Sequence, residues 1–336
     1  MKSRSHHLIW VSLLLCGAIL LTQCVSQTGQ DQIPSSDQYP NGEILVTPDW
    51  LNQHLNDSNL RIIDMRSNEV YSQSHIPGAV NVPVGDVTST VEGVPFEFDM
   101  QKVQESLNRI GLQPGQTVVI YDNLGMMNSG RLFWTLEYVG HKDVRILHGG
   151  WNAWNAAGFA ITEDVPEITP SDYPIQLDQT KLVTAEQVLQ ALDDPDVSIM
   201  DSRSPDEYTG EVKLAERGGH IPGAINLPWL SVLTGGDAVY TTQDGWQSEL
   251  MDKDVEIFKS ANDIQDILDN LGLSRDQEVI TYCQTMWRGA HTYFLLRLMG
   301  FEDVRGYDGS WAEWGNNPDL PVVTGKLPGS VEDAGQ

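Results

Sequence analysis

The sequence predicts an α/β protein of two tandem domains, each a parallel β-sheet with helices on both faces. Three observations carry that expectation: a length of 336 residues, an internal duplication, and an alternation of short β-rich runs with helical patterns in each copy. At roughly 150 residues per domain, such a chain has room for two cores.

The duplication is legible from the chain alone. Residues 103–112 (VQESLNRIGL) match 264–273 (IQDILDNLGL) at an offset of 161. The same offset carries Asp122, after the run 117–121 (TVVIY), onto Cys283, after 278–282 (EVITY). Residues 147–154 (LHGGWNAW) match 307–314 (YDGSWAEW) at 160, and 75–79 (HIPGA) match 220–224 at 145. The second copy therefore carries about 16 extra residues, expected between Trp229 and Ala261. Strands are expected at 61–65, 117–121 and 144–147, then at 197–201, 279–282 and 304–307. Each copy opens with a helix signal: Thr47 precedes Pro48 at a first helical position, and Thr184-Ala-Glu-Gln187 has the capping-box spacing. Pro166, Pro170 and Pro174 mark a linker. The expected organisation is a signal segment at 1–24, a polar tether at 25–42, a first domain at 43–163, a linker at 164–174, a second domain at 175–326 and a tail at 327–336.

Lys2 and Arg4 precede an apolar run from 8 to 21, the pattern of an export signal. It ends in Leu21-Thr22-Gln23-Cys24, which resembles the lipobox of bacterial lipoproteins, although Gln23 replaces the small residue preferred there. That resemblance implies lipidation of Cys24, a membrane held through the lipid, and a periplasmic or cell-surface location. A conventional cleaved signal and an uncleaved anchor are the alternatives. Lys and Arg total 20 against 47 Asp and Glu, a net charge of −27, which repels phosphate backbones and excludes nucleic acid as a partner. A small anionic substrate must be captured by a local site working against that field.

If Cys16 leaves with the signal and Cys24 carries lipid, Cys283 is the one thiol of the mature chain and has no disulfide partner within it. Such a cysteine is either inert and buried or reactive, and its surroundings decide. Cys283 follows an apolar strand and precedes the helical stretch 289–299, at the carboxyl edge where open α/β sheets place their sites. The loop Gln284-Thr285-Met286-Trp287-Arg288 is expected to curve around the sulfur with its N–H groups turned inward. Such a ring stabilises a thiolate, a persulfide anion or an oxyanion, and Arg288 adds the loop's one formal cation. The chemistry that fits is sulfur transfer. The thiolate attacks the outer sulfur of a donor, and the resulting persulfide offers its terminal sulfur to a nucleophile.

These residues, with the repeats around them, resemble the tandem-domain rhodanese family of thiosulfate and 3-mercaptopyruvate sulfurtransferases over about residues 43–325. Both family signatures occur twice: residues 71–79 (YSQSHIPGA) with 219–224 (GHIPGA), and 149–151 (GGW) with 307–314. The resemblance implies two rhodanese-like domains and a Cys283 persulfide. It also implies a small anionic donor, a thiol, cyanide or protein acceptor, and no cofactor or metal. Only the second domain is then catalytic, because Asp122 holds the cysteine position in the first and a carboxylate cannot carry a sulfane sulfur. In thiosulfate-preferring members the loop resembles Cys-Arg-Lys-Gly-Val-Thr, and in mercaptopyruvate-preferring ones Cys-Gly-Ser-Gly-Val-Thr. Here Met286 replaces the glycine and would need an unusual φ. Glu207 stands where well-studied members place a substrate-binding Arg.

The remaining candidates read as scaffold. Arg66 and Arg203 occur in Asp-x-Arg at strand ends, where an ion pair fixing the loop is expected, with Arg203 and Glu207 in supporting positions. His75 and His220 recur in the domain lacking the cysteine, so a structural role is expected. His291, eight residues beyond Cys283, should point away from it, and the Trp151/Trp154 and Trp311/Trp314 pairs should pack. No metal-ligating constellation is visible in the sequence. Two rivals remain. A Cys-dependent phosphatase or arsenate reductase needs Cys-x5-Arg, whereas four residues separate Cys283 from Arg288. A non-catalytic binding module is favoured by Met286 and Glu207 and opposed by the retained cysteine.

Overall fold

The structure, a computed structural model, describes residues 35–91, 94–234 and 256–334. The signal segment, Cys24, residues 25–34 of the tether, most of the expected insertion and the last two residues of the tail lie outside the described residues.

The first domain runs β1 (Leu45–Val46), α1 (Pro48–His54), β2 (Leu60–Asp64), α2 (Asn68–Gln73) and β3 (Val80–Asn81). It continues through the antiparallel pair β4 (Thr88–Val91) and β5 (Val94–Phe98), then α3 (Met100–Arg109), β6 (Thr117–Tyr121), α4 (Met127–Tyr138), β7 (Val144–Leu147) and α5 (Gly150–Ala156). The second runs β8 (Leu182–Val183), α6 (Ala185–Ala191), β9 (Val197–Asp201), α7 (Pro205–Thr209), β10 (Ile225–Asn226), α8 (Ala261–Asn270), β11 (Glu278–Tyr282), α9 (Trp287–Leu298), β12 (Val304–Tyr307) and α10 (Ser310–Trp314). Each domain holds a five-stranded parallel sheet, in the order β1-β7-β6-β2-β3 and, equivalently, β8-β12-β11-β9-β10. The central strands β6 and β11 are buried on both faces, which is why they read as unbroken apolar runs rather than alternating ones.

The local signals act as their chemistry requires. Thr47 accepts a hydrogen bond from Trp50 N at 3.2 Å, with Pro48 opening α1, and Thr184 and Gln187 form a reciprocal capping box at the start of α6. The six expected strands are present to within a residue, and four two-residue edge strands complete the sheets. Those edges are too short to carry a periodic pattern and exist only because a longer neighbour pairs with them. The proline-rich linker has no regular structure and lies along the first domain. Ser171 N donates to Asn108 O at 2.9 Å, and Asp178 N to Tyr138 O at 2.7 Å.

The two domains share one continuous core, while each keeps a separate apolar cluster on its outer face. At their junction α4 packs on α9. Gly130 lies so close that a Cβ there would sit 2.9 Å from the Cα of His291, so only glycine allows this approach. Phe133 meets Phe294 edge-on at 4.8 Å, and Arg131 in the first domain pairs with Asp308 in the second at 2.7 Å.

Candidate active site

Cys283 leaves the end of β11 and is 1% exposed. Its backbone is held from behind by α10. Trp311 N donates to the Cys283 carbonyl at 2.9 Å, and Ala312 N to the Gln284 carbonyl at 3.0 Å. Cys283 N donates to Ser310 Oγ at 3.4 Å, and that hydroxyl donates to Tyr307 O at 2.8 Å. With those carbonyls turned toward α10, the loop leading into α9 is stapled at its root. The Tyr-Asp-Gly-Ser-Trp signature therefore orients the cysteine loop from a separate element, a role its spacing did not announce.

Met286 adopts the left-handed conformation at φ +62°, one residue before α9, and Met126 does the same at φ +67° before α4. The unusual φ that the sequence raised as a condition is therefore present. A left-handed non-glycine residue costs about 1 kcal/mol, while burying a methionine side chain returns about 1.5–3 kcal/mol. Met286 is fully buried: its Sδ and Cε fill the space beside Gly289 and Gly306, next to the Trp134 ring of the other domain. Packing decides the conformation.

In the first domain the equivalent loop, one residue longer, closes on a carboxylate. The Asp122 carboxylate is fully buried at the position equivalent to Cys283. One of its oxygens accepts from Leu124 N at 2.7 Å and Met126 N at 3.1 Å. The other accepts from Ser129 N at 2.6 Å and Ser129 Oγ at 2.7 Å. Burial raises the Asp122 pKa, and the hydrogen bonds oppose that rise. The loop is thus an acceptor cradle built from backbone N–H groups. Counted from the helix starts, Met286 and Gly289 stand where Met126 and Ser129 donate.

Arg288 lies one residue into α9, but its charge is not open to a ligand alone. Its Nη1 donates to Glu207 Oε2 at 2.5 Å and its Nη2 to Oε1 at 2.8 Å, a bidentate pair with both side chains largely buried. Burial works to raise the Glu207 pKa, yet the Arg288 and Arg203 guanidiniums outweigh it and pull the carboxyl down to about 2. Burial likewise works against the Arg288 cation, and Glu207, with Cys283 beside it, holds that guanidinium above its ordinary range. The sequence reading of Arg288 as the loop's one formal cation, there to stabilise an anion, thus meets a counter-charge it did not anticipate. Closed on Glu207, the guanidinium is also not presented to a tetrahedral oxyanion as a phosphatase requires.

The other candidates take these places. Arg203 is locked to Asp201 through Nε and Nη2, with Nη2 also donating to Gly219 O at 2.7 Å, and Arg66 repeats this on Asp64 in the first domain. The Arg203 guanidinium lies over the Trp311 ring at 4.4 Å. Gln284 Nε2 donates to Leu214 O at 3.0 Å, while Thr285 and Trp287 are half-buried on the loop. Leu214 belongs to a segment lengthening the second domain by eight residues between Tyr208 and His220, relative to Tyr71 and His75. Arg217 pins that segment to the carbonyls of Trp314 and Leu320, both at 2.6 Å. His75 and His220 stack on Tyr71 and Tyr208 and bond to backbone carbonyls. His291 packs between Trp229 and Phe258. Trp154, Trp311 and Trp314 are buried, each indole N–H on a carbonyl.

A duplicated parallel α/β fold with Cys283 at a strand end in the second copy and a carboxylate at the twin position defines a two-domain protein with one candidate thiol nucleophile among the described residues. The rhodanese-like domain family matches residues 47–157 and 184–317, and the chain belongs to it. It is 33% identical over 283 residues to a thiosulfate sulfurtransferase of Pseudomonas aeruginosa, covering 83% of this chain and 96% of that relative. It is 32% identical over 290 residues to one of Azotobacter vinelandii, covering 85% and 99%. It is 31% identical over 310 residues to the sulfur carrier protein TtuD of Thermus thermophilus, covering 86% and 99%. Among solved structures, an anaerobic ergothioneine biosynthesis enzyme from Chlorobium limicola, in complex with trimethyl histidine, superposes with a TM-score of 0.72. That match has 27% identity and covers 85% of this chain and 71% of that one. The protein is a sulfurtransferase.

Proposed function

We propose that Cys283 is the residue that carries the sulfur, as a persulfide held by the loop 284–288, and that the first domain performs no chemistry. The observation that carries this reading is the Asp122 cradle. A carboxylate oxygen lies two bonds beyond Cβ, and so does the terminal sulfur of a cysteine persulfide. The first domain holds its buried carboxylate on four hydrogen bonds. The second leads from Cys283 through an equivalent left-handed methionine into α9, one residue shorter than the Asp122 loop, and the N–H groups of such a turn suit a persulfide anion. With thiosulfate, the Cys283 thiolate attacks the outer sulfur, the S–S bond breaks and sulfite leaves with the electron pair. With 3-mercaptopyruvate the C–S bond breaks, pyruvate leaves, and the thiol proton moves to its carbon. A thiol, cyanide or protein nucleophile then takes the terminal sulfur and restores the thiolate. Intact-mass measurement tests this: the parent should gain one sulfur from such a donor and lose it to cyanide. Cys283→Ser should gain none while remaining folded, and undiminished turnover in that variant would sink the assignment.

The same reading extends to location. We infer that the chain is exported by its N-terminal apolar segment and held at a membrane through lipid on Cys24, at the periplasmic or cell surface. Each buried CH₂ of lipid contributes about 0.8 kcal/mol, so two or more chains would anchor the protein stably. Mass analysis of the mature N-terminus decides between a lipidated Cys24 and a soluble product starting elsewhere, which would rule the anchor out.

A further inference from the structure

The ion pairs around this site fall into two kinds. Asp201–Arg203 is repeated as Asp64–Arg66 in the first domain, as a scaffold feature should be. Glu207–Arg288 is not repeated. The equivalent positions, the third residue of α2 and the second of α4, carry Val70 and Asn128. The fold closes without the pair in the domain that has no cysteine, so the pair accompanies the chemistry rather than the architecture.

We propose that Glu207 is a specificity-determining residue: by taking both arms of the Arg288 guanidinium, it removes net positive charge from the Cys283 loop. The loop then favours sulfur donors bearing one negative charge over donors bearing two. This deepens the sulfurtransferase reading and rests on it. The two donor chemistries differ in the charge brought to the loop, two units for thiosulfate and one for 3-mercaptopyruvate, while the sulfur delivered is the same. An uncompensated guanidinium attracts the dianion more strongly than the monoanion, and the second charge gains most where water is scarce. Arg288 is 11% and Glu207 7% exposed, so water screens their charges little. With Glu207 in place that advantage is cancelled locally. The chain's net charge of −27 adds a penalty that grows with donor charge. Donor binding is left to backbone N–H groups, which donate to either anion.

The test is a charge cycle on the full chain, with cyanide as acceptor. It compares kcat/KM for thiosulfate and 3-mercaptopyruvate in the parent, Glu207→Gln and the double variant Glu207→Gln/Arg288→Gln. The parent should use 3-mercaptopyruvate better than thiosulfate. Glu207→Gln, which keeps a partner for Ser204 N and for one arm of Arg288, should raise the thiosulfate-to-mercaptopyruvate ratio by about tenfold. That gain should reside in KM and fade as salt is raised. The double variant restores neutrality and should return the ratio to near the parent value, an outcome a purely structural role would not produce. A parent that prefers thiosulfate, a ratio unmoved in Glu207→Gln, or a shift that persists in the double variant would each overturn the proposal. The parent measurement needs no variant to fold. Intact mass separates the two levels: sulfur loading with the wrong ratios overturns only the role of Glu207, whereas no loading from either donor overturns the sulfurtransferase reading beneath it.

Discussion

Glu207 and Arg288 are separated by 81 positions in the chain, and their meeting controls both charge and stability around the cysteine. Removing one member leaves the other buried without its counter-ion, which costs about 3–5 kcal/mol. Arg288→Gln should therefore destabilise the protein by about that much at neutral pH, read by urea denaturation. The pH dependence follows from the carboxyl held down at about 2. A folded pKa below the unfolded value of about 4.3 contributes stability that is complete above the unfolded value and is lost as pH falls toward 2. The gap between parent and Arg288→Gln should then be widest near neutrality and close between about pH 4 and 2. A gap constant with pH would mean that lost packing, rather than lost charge pairing, is the cause.

At the scale of elements, the two cysteine-position loops enter equivalent helices through a left-handed methionine, the second being one residue shorter. In the second domain Met286 holds a left-handed turn because its side chain fills the gap beside Gly289 and Gly306. In the first domain Asp122 holds the loop by its own carboxylate. A sequence reading treats Asp122 as merely a missing nucleophile whose removal should leave the chemistry almost untouched. The structure gives it a further duty. Asp122→Ala would strand the N–H groups of Leu124, Met126 and Ser129 in a buried place, at about 1–3 kcal/mol for each one left unsatisfied. The expected loss is about 3 kcal/mol or more, read as a lower Tm by calorimetry, with Cys283 still able to take one sulfur. Since Gly125 of this loop packs against Trp229 and Leu233 of the second domain, the loss belongs to the interface as well. An unchanged Tm would show that water replaces the carboxylate without cost.

For the molecule as a whole, the domains are joined by a buried helix pair, and His291 lies in that seam. Burial pushes its pKa down to about 3, with the Gly125 carbonyl opposing the shift. The unfolded chain binds a proton at about pH 6.5 that the folded one refuses. Stability is therefore present above that value and lost as pH falls toward 3, by on the order of 5 kcal/mol in all. His291→Leu, of similar size and without a titrating group, should flatten this acid limb. Urea midpoints followed by tryptophan fluorescence between pH 7 and 4 measure it, and equal slopes in parent and variant would refute the assignment. Mild acid should thus loosen the joint between the domains well before the Glu207–Arg288 pair is titrated.

The sequence by itself determined the architecture: a duplicated parallel α/β fold, its six long strands, the caps at Thr47 and Thr184, and Cys283 as the thiol at a strand's end. These are local or periodic features, and burial on both faces leaves a continuous apolar run that no folding is needed to recognise. The short edge strands were not legible, because two residues pair only when a neighbour has already been placed. Ser310 behind the cysteine and the carbonyl of Leu214 on Gln284 were likewise hidden, since each joins segments tens of positions apart. The sequence could flag Glu207 and Arg288 as unusual but could not bring them together. Only the tertiary structure decided that the loop's cation is already answered by a carboxylate and that Met286 holds its turn by packing. Charge balance and packing are properties of neighbours in space, and the chain order records neighbours only along itself.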